Sequence, residues 1–134
     1  MRHAVTAVRI VLGLLFFVLG LNGFLHFIPG SDAVYPGPKG AFMAALETGN
    51  VLTLVKAVET LAGLLLLVGR FVPLALVMLV PIVTGIVVFH LTYAPAAGAP
   101  GYIAALLLAF LLWAYRAPLL PLLRPRAAPL GRSV

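Results

Sequence analysis

The sequence predicts a single all-α membrane domain over residues 1–134: an antiparallel bundle of four transmembrane helices, with a short interfacial helix between helices 1 and 2. Three observations support this prediction. Hydrophobic residues make up 63% of the chain and charged residues only 9%, against roughly 25% charged residues in an ordinary soluble domain. Residues 71–115 contain no Asp, Glu, Lys or Arg. Four apolar segments each approach the ~20 residues that span a bilayer.

The first span is predicted at residues 4–28, an apolar run that follows a basic amino terminus. The run exceeds the roughly 7–15 residues of a signal-peptide core, so we expect a retained helix and not a cleaved leader. Gly13 and Gly20 share one face of this helix, where a neighbouring helix could approach closely. Asn22 and His26 lie one turn apart on another face.

The connection between the first two spans contains a second, shorter helix. Residues 29–50 hold Asp32 and Glu47, the acidic residues outside the predicted spans. The first part of the connection is rich in proline and glycine, which is typical of turns. Residues 39–47 have the apolar face of a short helix, which we expect to lie at the membrane interface.

The second and third spans form a predicted hairpin. They cover residues 51–68 and 71–93, and only Gly69 and Arg70 connect them. So short a connection requires a tight antiparallel turn after the first helix. Pro81 leaves a carbonyl group of the third span without its helical partner, so we expect a kink there.

The fourth span is predicted at residues 101–120, and residues 121–134 form a basic cytoplasmic tail. Trp113 and Tyr115 are typical of an interfacial aromatic belt. We expect the helix to continue past Arg116, whose long side chain would snorkel to the lipid headgroups.

The distribution of basic residues predicts the orientation. With a cytoplasmic amino terminus, every arginine falls on the cytoplasmic side, whereas the outer loops hold only Lys39. Positive charge concentrates in cytoplasmic loops, so we predict a multi-pass membrane protein with both termini in the cytoplasm. We expect the membrane to be the prokaryotic plasma (inner) membrane. The net charge of +6 is then explained by contact with anionic headgroups of the bilayer, and we expect no nucleic-acid partner.

Titratable residues inside the spans are the candidate site, because such residues are costly in lipid and often functional. Lys56 and Glu59 share one helical face. If the second span begins at the outer membrane surface near residue 51, a rise of 1.5 Å per residue places them about 8 Å and 12 Å below that surface. Asn22, His26 and His90 lie at similar depths on the first and third spans. We predict that these five residues line one pocket in the outer half of the bundle. The structural alternatives are an ion pair that fixes helix packing, headgroup-level histidines, and an amide bonded to a neighbouring helix.

Several chemistries are excluded or disfavoured. Because the chain contains no cysteine, it has no thiol nucleophile, no Cys-ligated zinc and no Cys-ligated iron–sulfur cluster. The histidines lack the spacing of a metal site, so we predict no bound metal. A haem between His26 and His90 has weak support, and we expect no covalently bound cofactor.

Three stretches share a pattern of polar residues, glycines and prolines. Residues 54–75 are LVKAVETLAGLLLLVGRFVPLA, residues 20–29 are GLNGFLHFIP, and residues 81–83 are PIV, leading to Phe89 and His90. The pattern resembles the DoxX-like family of small four-span integral membrane proteins over almost the whole chain. The resemblance implies the four-span fold. Because the family takes its name from a subunit associated with a thiosulfate:quinone oxidoreductase, it also implies a redox-associated role.

The functional hypothesis is a pocket that binds a quinone-like lipophilic molecule. Lys56, His26 or His90 would hydrogen-bond its carbonyl oxygens, and Glu59 would carry the proton that accompanies reduction. Electrons would come from an oxidoreductase partner, which would make the chain a membrane subunit of a quinone-linked enzyme. Two alternatives stay open: a non-enzymatic adaptor or assembly factor, and a small proton-coupled transporter, which would require a homo-oligomer.

Overall fold

The computed structural model describes residues 1–30 and 34–125. Its helices are α1 (Arg2–Leu25), α2 (Gly37–Thr48), α3 (Val51–Val68), α4 (Val72–Tyr93), α5 (Ala99–Ala114) and α6 (Arg116–Leu119), with 3-10 turns at Pro95–Ala97 and Leu120–Leu123. No strand occurs in the two described ranges, so this part of the chain is all-helical. Asp32 and residues 126–134 of the predicted tail lie outside the described residues.

Three helices of the described chain are long and apolar enough to cross a membrane. They are α1, α3 and α4, with 24, 18 and 22 residues. A fourth candidate exists if α5 and residues 116–123 are taken together, although the chain bends by 80° between them. The length and composition of these helices indicate a membrane-embedded helical protein.

Helix α1 packs most extensively against α3, through glycines that bring the two backbones together. A Cβ atom at Gly63 would lie 2.8 Å from the Cα atom of Phe17 and 2.9 Å from the carbonyl oxygen of Gly13. A Cβ atom at Gly20 would lie 2.6 Å from the backbone nitrogen of Thr60. Because rising residue numbers in α1 meet falling numbers in α3, the two helices are antiparallel. The packing role predicted for the α1 glycines is confirmed.

The four long helices close a ring, because α4 contacts both α3 and α5, and α5 also contacts α1. Their fully buried apolar side chains gather near the amino terminus of α1 and the α3–α4 turn. They include Leu12, Phe16, Ala62, Leu66, Ala75, Leu76, Leu79 and Leu111. We call this the packed end of the bundle. The opposite end, formed by the last turns of α1 and α4 and the first turns of α3 and α5, is called the cavity end.

The α3–α4 turn is built on Gly69, whose φ of 74° is left-handed. Its N–H and that of Arg70 both donate to the carbonyl oxygen of Leu65, at 3.0 and 3.2 Å. A Cβ atom at this glycine would also meet the guanidinium of Arg9. Glycine is therefore required here twice, by the backbone conformation and by the close approach of α1.

Gly69→Ala is expected to destabilise the protein by at least about 1–2 kcal/mol, the cost of a left-handed conformation for an L-residue. Thermal unfolding in detergent, followed by circular dichroism, measures this loss. Gly85→Ala is the matched control, because a Cβ atom at Gly85 meets nothing within 4 Å. A Gly69→Ala protein as stable as the wild type would contradict the turn geometry.

Helix α5 ends at Ala114, well before the predicted end of the fourth span at residue 120. Pro118 explains the difference, because its ring would clash with the Ala114 carbonyl in a continuing helix. The side chain of Arg116 lies against the end of α5, and its snorkelling to the headgroups stays a prediction. Its Nη1 donates to the Trp113 carbonyl oxygen at 2.9 Å, and its guanidinium carbon lies 4.9 Å from the Trp113 ring centroid. This arginine therefore caps α5.

Candidate functional site

A cavity of about 600 Å³ lies between the helices at the cavity end of the bundle. Helices α1 to α5 all contribute to its walls, which are mostly apolar. Among the lining residues are Leu19, Phe42, Met43, Lys56, Glu59, Gly85, Phe89 and His90. The volume falls within the range of about 300–1,000 Å³ that is typical of small-molecule sites.

The cavity exists in part because α4 has a residue without a side chain in its wall. Gly85 lines the cavity, and a Cβ atom there would meet no atom within 4 Å. Pro81 also lines it, and α4 continues through this proline without a break in the helix. The kink expected at Pro81 stays a prediction.

Lys56 and Glu59 form an ion pair in the cavity wall. The Lys56 Nζ atom lies 2.8 Å from Glu59 Oε2, and the two side chains are 24% and 3% exposed respectively. The pair cancels its own net charge, which limits the electrostatic penalty of placing two ionisable groups in an apolar bundle. Because the lysine is the more exposed partner, its remaining N–H donors are the groups of the pair that a ligand can reach.

Helix α1 positions this pair. The stem of Lys56 lies over Gly23, where a Cβ atom would be only 2.7 Å from the lysine Cδ atom. The Thr60 hydroxyl donates to the Lys56 carbonyl oxygen at 2.8 Å, so its polarity is satisfied within α3, and it lies against Gly20. The close packing at these α1 glycines therefore fixes the position of the ion pair relative to the cavity.

His90 lines the same cavity from α4. Its Nδ1 atom lies 2.8 Å from the carbonyl oxygen of Ile86. Since a carbonyl oxygen can only accept, Nδ1 carries the hydrogen, and Nε2 of the neutral ring is an acceptor. The sequence-based hypothesis had used His90 as a donor to a ligand carbonyl, so this hydrogen bond changes the chemistry that the residue offers.

Helix α2 forms part of the cavity wall, which sequence reasoning missed. The ring centroid of Phe42 lies 5.8 Å from those of both Phe89 and Tyr93 on α4. Met43 and Leu46 line the cavity beside it. The available signal was the spacing of these apolar residues, which places them on one face of each helix. The apolar face of α2 therefore covers part of the cavity.

Asn22 and His26 do not line the cavity. Asn22 is buried, and its Oδ1 atom accepts the backbone N–H of Ile28 at 2.7 Å. His26 is exposed and ends α1 in a left-handed conformation with a φ of 50°, so the helix stops at Leu25 and not at the predicted residue 28. These residues shape the end of α1. Of the five predicted site residues, the cavity brings together the three on α3 and α4.

The described residues contain no ready-made metal centre. Within residues 1–30 and 34–125, no three or more side chains of the metal-binding types are grouped so that they could hold an ion. The polar chemistry at the cavity consists of an ammonium donor paired with a carboxylate and an imidazole acceptor on the neighbouring helix. Such a set can orient a small polar head group and exchange protons with it.

Comparisons with known proteins returned no match. No protein-family model matches the chain, and no match was found among curated proteins or solved structures. The DoxX-like resemblance of residues 20–29, 54–75 and 81–90 stays a prediction from the sequence.

Proposed function

We propose that the chain is a membrane protein that binds a quinone or a similar lipophilic redox molecule. The observation that carries the proposal is the apolar cavity of about 600 Å³ with the Lys56–Glu59 pair in its wall. Apolar walls favour a ring and a hydrocarbon tail, while a few polar groups orient the head. Because the pair is neutral overall, an uncharged head group suits it.

Each polar residue has a distinct role in this proposal. The Lys56 ammonium donates to an oxygen of the ligand head. Glu59, 2.8 Å from that ammonium, carries one of the two protons that reduction of a quinone to a hydroquinone takes up, and the other comes from water. Electrons come from an oxidoreductase partner, so the chain acts as a membrane subunit of a quinone-linked system. His26 and Asn22 have no part in ligand binding in this revised assignment.

We propose four spans, with both termini in the cytoplasm of a prokaryotic cell. Arg9, Arg70 and Arg116 are near the packed end, whereas Lys39 is on α2 at the cavity end. This asymmetry supports the orientation by the positive-inside rule. The cavity then faces the outer leaflet, and α2 lies at the outer interface, where the Lys39 ammonium sits 3.5 Å from the Tyr35 ring centroid.

The same arrangement supports membership of the DoxX-like family as a proposal. Two of the stretches that carry the resemblance supply polar residues to one cavity: Lys56 and Glu59 from the first, and His90 from the other. The stretch at residues 20–29 supplies Gly23, against which the Lys56 stem packs. A shared site would explain why these stretches hold the polar residues of an otherwise apolar chain.

The proposal is tested by identifying what the protein retains on purification. Wild-type protein in native-lipid particles is extracted with organic solvent, and co-purifying molecules are identified by mass spectrometry. We expect a quinone that is enriched over the surrounding lipid. Gly85→Phe fills the cavity from a position with open space, so the quinone should be lost in that variant.

Ala57→Phe is the matched control, because it adds the same ring at an exposed position of α3 that does not line the cavity. This variant should retain the quinone. Only bulk lipid in the wild type would contradict the proposal and favour the adaptor or assembly alternative. Capture of a partner oxidoreductase would then be the next experiment.

A further inference from the structure

The imidazole of His90 is held in one orientation at the cavity wall. Its Nδ1 donates to the Ile86 carbonyl oxygen one turn earlier in α4, at 2.8 Å. The ring packs edge-on against Phe89 and Tyr102, with centroid distances of 5.5 and 6.5 Å. A Cβ atom at Gly101 would lie 3.5 Å from Nδ1, so α5 packs directly beside the ring. These contacts leave Nε2 of the neutral ring with a lone pair and no hydrogen.

The polar groups on the two walls of the cavity have opposite hydrogen-bonding character. Lys56 on α3 offers N–H donors, one of which bonds Glu59, whereas His90 on α4 offers an acceptor. A quinone head has only carbonyl acceptors, so an oxygen that faces Nε2 would place two acceptors together. A hydroquinone hydroxyl can donate to Nε2, and the oxygen across the ring can accept from the ammonium.

We infer that the cavity binds the reduced, hydroxyl-bearing form of its ligand, a hydroquinone whose hydroxyl donates to Nε2 of His90. The inference rests on the proposed function, because it names which member of the redox pair the same cavity prefers. Sites built around a hydroxyl reject analogues that lack it, since the buried partner is then left unpaired. We expect the hydroquinone to bind about threefold to tenfold more tightly than the quinone, as one net hydrogen bond allows.

The test compares three probes that share a ring and a tail: decylubiquinol, decylubiquinone and the dimethyl ether of decylubiquinol. Their dissociation constants for the purified protein in detergent are measured by microscale thermophoresis. Sodium dithionite keeps the quinol reduced, and because the chain has no cysteine, the reductant breaks no disulfide. The quinol should bind most tightly, and the ether, which has no donor, should lose at least as much affinity as the quinone.

Two variants of His90 test whether this residue is responsible for the tighter binding of the quinol. His90→Phe keeps a ring and removes Nε2, so the quinol affinity should fall to that of the quinone. His90→Gln supplies an acceptor oxygen from the same backbone position, so part of the preference should return. Circular dichroism and thermal unfolding establish that both variants are folded before their affinities are compared.

The outcomes separate the inference from the proposed function. Wild-type protein that binds the quinone as tightly as the quinol would overturn the inference alone. An unchanged quinol preference in folded His90→Phe would also overturn it, because Nε2 would not be the acceptor. Binding of none of the three probes by wild-type protein would overturn the proposed function together with the inference.

Discussion

Lys56→Met is expected to destabilise the bundle by about 3–5 kcal/mol, the usual cost of removing one partner of a buried ion pair. The remaining Glu59 side chain is only 3% exposed, so water cannot replace the lost ammonium. Glu59→Gln should cost less, because the remaining lysine is 24% exposed and its long stem can carry the charge toward water. Reversible unfolding by sodium dodecyl sulfate, followed by circular dichroism, measures both losses.

The double variant Lys56→Met with Glu59→Leu is the control for this prediction. It should recover to within about 1 kcal/mol of the wild type or exceed it, because apolar replacements of a buried pair are often neutral or stabilising. Bound quinone should nevertheless be lost, since no side-chain donor then remains among the α3 residues that line the cavity. Single variants as stable as the wild type would contradict the buried pair, and a stable double variant that keeps its quinone would contradict the proposed contact.

Gly63→Ala is expected to destabilise the protein by about 3 kcal/mol, in the upper part of the range for overpacking a well-packed site. The added Cβ atom would lie 2.8 Å from the Cα atom of Phe17 and 2.9 Å from the carbonyl oxygen of Gly13. Both are backbone atoms, so a rotamer change cannot relieve the contact. Helix α1 must move away from α3. The loss of stability is measured as a lower unfolding midpoint in detergent.

Two other glycines make this prediction a graded series. At Gly23 the added Cβ atom would meet the stem of Lys56, which is flexible, so Gly23→Ala should cost less than Gly63→Ala. At Gly85 it would meet nothing within 4 Å, and alanine should stabilise the helix by up to about 1 kcal/mol. Equal midpoints for the three alanine variants would contradict the close approach of α1 and α3.

The length of an apolar segment predicted the bounds of a helix well where a residue such as glycine defines the helix end. Helix α3 has the predicted bounds, because Gly69 ends it in a conformation that only glycine adopts readily. Helix α5 was predicted too long, because the clash of Pro118 with a carbonyl one turn earlier decides its end more than apolar composition does. The end of α1 depends on the bond between the Asn22 side chain and the Ile28 N–H, which no apolar pattern indicates.

The candidate site was only partly predictable, because the depth of a residue in the membrane and its position around the helix axis are determined separately. Depth follows from the rise per residue, so the sequence placed Asn22, Lys56 and His90 at similar levels. Rotation about the axis is set by packing, and Gly13 and Gly20 turn their face of α1 toward α3. Since Asn22 lies on nearly the opposite face, these glycines already indicated that it points away from the Lys56–Glu59 pair. For the contact of α2 with α4, the sequence gives an apolar face on each helix but does not identify which faces meet.

The short link between α3 and α4 bears on how the protein enters the bilayer. A connection of only three residues, Gly69 to Phe71, favours insertion of the two helices together, as a helical hairpin. Lys56 and Glu59 pair within one turn of α3, so the hairpin carries both partners of the ion pair on one helix when it enters the bilayer. The cavity needs α5 as well, and the proposed ligand site would therefore be completed only when α5 joins the bundle.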